Sequence, residues 1–104
     1  MRRSAHLLLV LLLVAPDAAR AGVDCPTVLE LHGFLRWGAN RCGLTQYNPA
    51  LVKEAHQCFD QLGSARAAPL MYAGRDQFER QVAVRDLQPF CAEVVRRFPM
   101  SVRP

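Results

Sequence analysis

Apolar residues recur every three to four positions from residue 25 to residue 98, and no stretch alternates cleanly between apolar and polar. The period is helical, and the fold class it predicts is all-α. Cys25-Pro26-Thr27 opens a first helix, with Pro26 at an early position that needs no N–H and Thr27-x-x-Glu30 in capping-box spacing. Val28, Leu29, Leu31, Phe34, Leu35 and Trp37 give it a wide apolar face up to Gly38, and Gly43 is free to take the positive φ that stops a helix. A second helix is framed by Asn48 as cap, Pro49 at its first position and Gly63 after its last turn. Leu51, Val52, Ala55, Cys58, Phe59 and Leu62 share one side of it, so Cys58 points inward.

From Ser64 onward the pattern weakens, because Pro69 and Gly74 interrupt it. It predicts a short turn, then a helix over about 69–85 with a kink near Gly74, Met71, Phe78 and Val82 facing inward and an Asp76/Arg80 pair outside. A last helix starts at Asp86 or Gln88 and carries Phe90, Cys91, Val94, Val95 and Phe98 on one face until Pro99. Brief connections between about four short helices predict a small up-down-up-down bundle over residues 22–99, with residues 100–104 as a frayed tail.

The segment ahead of the bundle has a different character. A cationic Met1-Arg2-Arg3 start, an unbroken Leu/Val run over 7–14 and Ala19-Arg20-Ala21 form the three-part pattern of a secretory signal peptide, cleaved after residue 21. Eight apolar residues rise only about 12 Å as a helix, short of the roughly 30 Å hydrocarbon core, so the run does not read as a spanning helix. Export to a periplasm or the exterior is the expected localisation.

The chain has 104 residues, of which 51% are hydrophobic, which excludes a two-domain dehydrogenase, a TIM barrel and a mainly disordered chain. Its formal charge of +4 shrinks once the leader is set aside. Residues 22–104 hold ten Lys and Arg against eight Asp and Glu, a net +2 with the signs interspersed. That balance offers no electrostatic footprint for nucleic acid.

All four cysteines, Cys25, Cys42, Cys58 and Cys91, lie beyond the leader with no C-x-x-C among them. In a short exported chain an even count reads as a disulfide framework, which here has three possible connectivities. Bundle geometry favours Cys25–Cys58 with Cys42–Cys91. Cys25 begins helix one and Cys58 lies about ten residues up helix two, at the same end, while Cys42 and Cys91 meet at the other.

Residues able to do chemistry are few. His32 and His56 are the histidines beyond the leader, and Met71 and Met100 add soft sulfur, but no spacing organises them into a metal site. Ser64 reads as a helix cap and Ser101 lies in the tail. Asp60, Asp76, Glu79 and Glu93 fall on solvated faces. The expectation is a protein without catalytic residues, metal or cofactor.

The most distinctive string is Arg41-Cys42-Gly43-Leu44-Thr45-Gln46-Tyr47-Asn48-Pro49, followed by the Cys58 helix. Together with the leader it resembles a group of small, exported, four-cysteine bacterial proteins that carry a CG…YNP…C pattern and have no assigned function. The resemblance spans roughly residues 25–91. It implies a helical fold in a periplasm and carries over no functional residues. On the residues themselves, Trp37, Arg41 and Tyr47 are candidate partner-binding groups near one bundle end, or else rings that plug it. Two function classes follow. One is an interaction or stress-accessory protein with an unidentified protein partner and no stable membrane insertion. The other is a carrier of a small apolar ligand in a cavity lined by Phe34, Phe59, Met71, Phe78 and Phe90.

Overall fold

The computed structural model describes residues 24–99 and 102–104. The signal-peptide expectation for residues 1–21 lies outside the described residues. Four helices, α1 (Cys25–Cys42), α2 (Pro49–Leu62), α3 (Ser64–Arg85) and α4 (Leu87–Arg97), form an all-α bundle, joined by two short strands, β1 (Gln46–Tyr47) and β2 (Val102–Arg103). Both disulfides have the expected pairing, Cys25–Cys58 with Cα atoms 5.2 Å apart and Cys42–Cys91 with Cα atoms 5.5 Å apart.

The central helix is α1, which packs against α2, α3 and α4. Its N-cap is Asp24, and Thr27 donates its hydroxyl hydrogen to the Asp24 carboxylate. The capping box expected from Thr27 and Glu30 is therefore not formed, because Thr27 already lies inside the first turn. At the other end Gly43 takes φ 72°, and the Gly43 and Leu44 N–H groups both donate to the Ala39 carbonyl. For α2, the Asn48 side chain accepts from the Ala50 N–H at 2.9 Å, with Pro49 in the first turn as the sequence predicts.

The main departure from the sequence reading is α3, which starts at Ser64 and runs unbroken through Pro69 and Gly74 to Arg85. Pro69 removes one donor near the helix start, a local cost outweighed by packing that needs the helix to begin early. Ala67, fully buried, sits on Leu29, Ala55 and Cys58. Gly74 does not interrupt the helix but brings α3 onto α1. A Cβ there would lie 2.0 Å from the Glu30 carbonyl oxygen, and one at Gly33 would lie 2.2 Å from that of Met71. The two backbones touch at this crossing. Further along, Gly38 admits the Phe78 ring, so α1 and α3 run side by side in the same direction. The expected Asp76/Arg80 pair is replaced by a 3.5 Å contact between Asp76 and its neighbour Arg75.

Two apolar clusters fill the bundle. Leu29, Ala55, Cys58 and Ala67 form the first, at the Cys25–Cys58 end. Leu35, Ala39, Leu44, Phe78, Phe90, Val94 and Val102 form the second, where Phe34, Phe78 and Phe90 meet with ring centroids 5.1–6.1 Å apart. Val102 belongs to this core and is 1% exposed, so the tail is not frayed there. Gln46 pairs with Arg103 and Tyr47 with Val102 in an antiparallel ribbon, which turns Val102 inward while Arg103 stays outside.

Candidate interaction face and neighbouring groove

Residues four apart on a helix lie on one face, so Trp37 and Arg41 project from α1 together toward Glu79 on α3. The Trp37 indole Nε1 donates to Glu79 Oε2 at 2.7 Å. Arg41 grips the same carboxylate with both ends of its fork, Nε to Oε2 at 3.0 Å and Nη2 to Oε1 at 3.2 Å. The indole hydrogen bond and then Arg41 hold the Glu79 carboxyl below the usual carboxylate range. Beside them the Arg75 guanidinium lies between two rings, 5.5 Å from the Trp37 centroid and 5.1 Å from that of Tyr72. Trp37 is half-buried against the second apolar cluster, whereas Tyr72 is 57% exposed. The body of the indole packs on that cluster and its N–H is taken by Glu79, while the Tyr72 ring meets solvent.

Tyr47 stands with a different arginine. It is exposed at the edge of the strand ribbon, where the Arg36 guanidinium sits 5.3 Å from its ring centroid. The structure thus joins two of the three sequence candidates, Trp37 and Arg41, and places the third on another arginine. Glu79, Tyr72 and Arg75 are the members that sequence reading missed. Their spacing carried a signal, since positions 72, 75 and 79 follow i, i+3, i+7 on one face of α3.

The side chains proposed to line a carrier cavity do not do so together. Phe78 is fully buried among rings. Phe34 and Phe90 border an open groove of about 320 Å³ whose rim carries Glu30, Arg85 and Arg97. Phe59 and Met71 border a different groove of about 330 Å³, between α1 and α2. The carboxylates weighed for catalysis are each engaged with a basic group. Glu79 binds Arg41, Glu93 binds Arg85 and Arg97, Asp60 lies 3.4 Å from His56, and Asp76 contacts Arg75. Among the described residues, no three or more His, Cys, Asp or Glu side chains cluster to hold a metal, and no helix is long and apolar enough to cross a membrane.

Comparison with protein-family models, with curated proteins and with solved structures found no match, so the connector resemblance remains an expectation and the candidate face rests on its own geometry.

Proposed function

We propose that the protein is a non-enzymatic interaction or stress-accessory module of the periplasm or the extracellular space, which holds a protein partner on the α1–α3 face around Trp37. One observation carries this reading: a tryptophan, a tyrosine and two arginines are held in fixed mutual geometry, by Glu79 and by stacking, on two helices whose backbones touch. Trp, Tyr and Arg are the residues that dominate protein interfaces, and a preset arrangement lowers the ordering cost of binding. Tyr47 on Arg36 is a second exposed aromatic–arginine pair, outside this face. Two disulfides suit an oxidising compartment, and the near-balanced charge suits a protein partner better than nucleic acid. The packed phenylalanine core supports this reading over a carrier with an internal ligand chamber.

The test is a photoactivatable phenylalanine analogue placed at residue 72 in the exporting cell, with residue 84, which is 83% exposed on the same helix, as control. The proposal expects a discrete adduct from position 72 that is absent from position 84 and lost when Arg41 and Arg75 are both changed to Ala. Equal adducts from both positions, or none from position 72, would refute it.

A further inference from the structure

The α1–α2 groove differs from the α1–α3 face in holding polar side chains that no other side chain hydrogen-bonds. It is lined by His32 and Arg36 of α1, Val52, His56 and Phe59 of α2, and Met71 of α3. His32 is only 9% exposed, yet it has no side-chain hydrogen-bond or ion-pair partner among the described residues. Its polar atoms nevertheless retain some solvent access, since the described residues include no fully enclosed, unpartnered side-chain nitrogen or oxygen. The ring itself lines the groove. The imidazole therefore offers a ligand in the recess a polar group that no protein side chain already holds.

Arg36 decides the charge of that occupant. It stands one helical turn from His32, has no carboxylate partner among the described residues, and stacks on Tyr47. A cation bound at His32 would be repelled by this guanidinium, and the nearby carboxylate, Asp60, already faces His56. An anion would find one full positive charge and one imidazole N–H donor. The rest of the wall is Val52, Phe59 and Met71, which offers an apolar body a place to lie.

The geometry points to a binding site in the α1–α2 groove for a small monocarboxylate with an apolar body, its carboxylate met by Arg36 and His32 and its body laid on Val52, Phe59 and Met71. This site shares no residue with the α1–α3 face and stands or falls independently of it. A free organic acid and the C-terminal carboxylate of a peptide share this chemistry.

The experiment is an NMR titration of the full disulfide-bonded chain with 3-phenylpropionate, reading the Met71 methyl and the His32 ring. Saturable shifts of both are expected. Arg36→Gln, a change at an exposed position, weakens binding about tenfold, as does replacing the acid by its uncharged amide, because each removes the charge-assisted contact. A dipeptide ending in phenylalanine with a free carboxylate distinguishes the sources: tighter binding of the simple acid assigns the groove to free acids, and tighter binding of the dipeptide to a chain end. Three results would overturn the site: no saturable shift, equal affinity for acid and amide, or unchanged affinity in Arg36→Gln. Zn²⁺ alone moving the His32 and His56 rings together at one equivalent would also overturn it, in favour of a metal.

Discussion

The central helix α1 presents two arginines in opposite circumstances. Arg41 is locked onto the Glu79 carboxylate beside the Trp37 indole, while Arg36 lies on a ring above an unpartnered histidine and an open groove. The helices beneath them are joined differently too. On the Arg41 side α1 and α3 meet backbone to backbone at Gly33 and Gly74, with no covalent tie between them. On the Arg36 side α1 and α2 are tied by Cys25–Cys58 next to a cluster of small residues and a 330 Å³ recess. Close packing makes a rigid presenting face. A covalent link allows two helices to stay together around a space that packing does not fill.

The largest test of that contrast is removal of the α1–α2 link. Cys25→Ser with Cys58→Ser opens a loop of 33 residues and should cost about 4 kcal/mol in the chain-entropy account. Denaturant unfolding measures the loss, and hydrogen exchange should find it concentrated in α2 while the Trp37 environment in the remaining folded molecules is unchanged. Next comes the crossing. Gly74→Ala drives a methyl group into the Glu30 carbonyl, which cannot rotate away, so a loss of about 3 kcal/mol is expected, with a shifted emission maximum for Trp37, the single tryptophan.

A smaller change of opposite sign sharpens the comparison by leaving both faces alone. Two one-residue junctions, Gly63 between α2 and α3 and Asp86 between α3 and α4, share nearly the same backbone angles, φ 79°, ψ 155° and φ 65°, ψ 151°. That region suits glycine and strains any residue with a Cβ. Asp86→Gly should therefore raise stability by about 1 kcal/mol, measured by urea unfolding, with binding on either face unaltered.

The pH dependence separates the faces by titration. Burial, and then Arg36, hold His32 below the ordinary imidazole value, so its folded form is disfavoured once protonated. Its part of the stability is complete above the ordinary imidazole value and declines as pH falls below it. Glu79, also depressed, contributes stability that is complete above the usual carboxylate range and is lost as pH falls through its lowered folded value. Stability followed by pH should thus fall in an imidazole step and a later carboxylate step. Glu79→Gln should shrink the later step and spare the earlier one, while Glu93, held low by Arg85, keeps its own share.

Much of this architecture was legible where a local rule decides it. Asn48, Pro49 and Gly63 frame α2, Gly43 ends α1, and helix order alone ranked the cysteine pairs. The sequence misled where the answer lay on another helix. A glycine that breaks a helix and one that lets two helices touch look alike in a single chain, so Gly74 read as a weakness. Pro69 read as a start because nothing local signals that Ala67 must be buried. Trp37 and Arg41 stood out, but Glu79 looked solvated, since only the α1–α3 crossing brings it to them. Val102 reached the core by a strand pairing of two residues, too short to leave a periodic trace. His32, His56 and Met71 lie far apart in sequence and share a groove only through tertiary packing.

The claim that α1 carries one arginine committed to structure and one available to a ligand is tested most directly by the side-chain Nε–H order parameters of Arg41 and Arg36 in a single ¹⁵N relaxation experiment. The account predicts Arg41 at the rigid-backbone level of about 0.85 and Arg36 below about 0.6 without ligand. Equal values, or an Arg36 more rigid than Arg41, would contradict it.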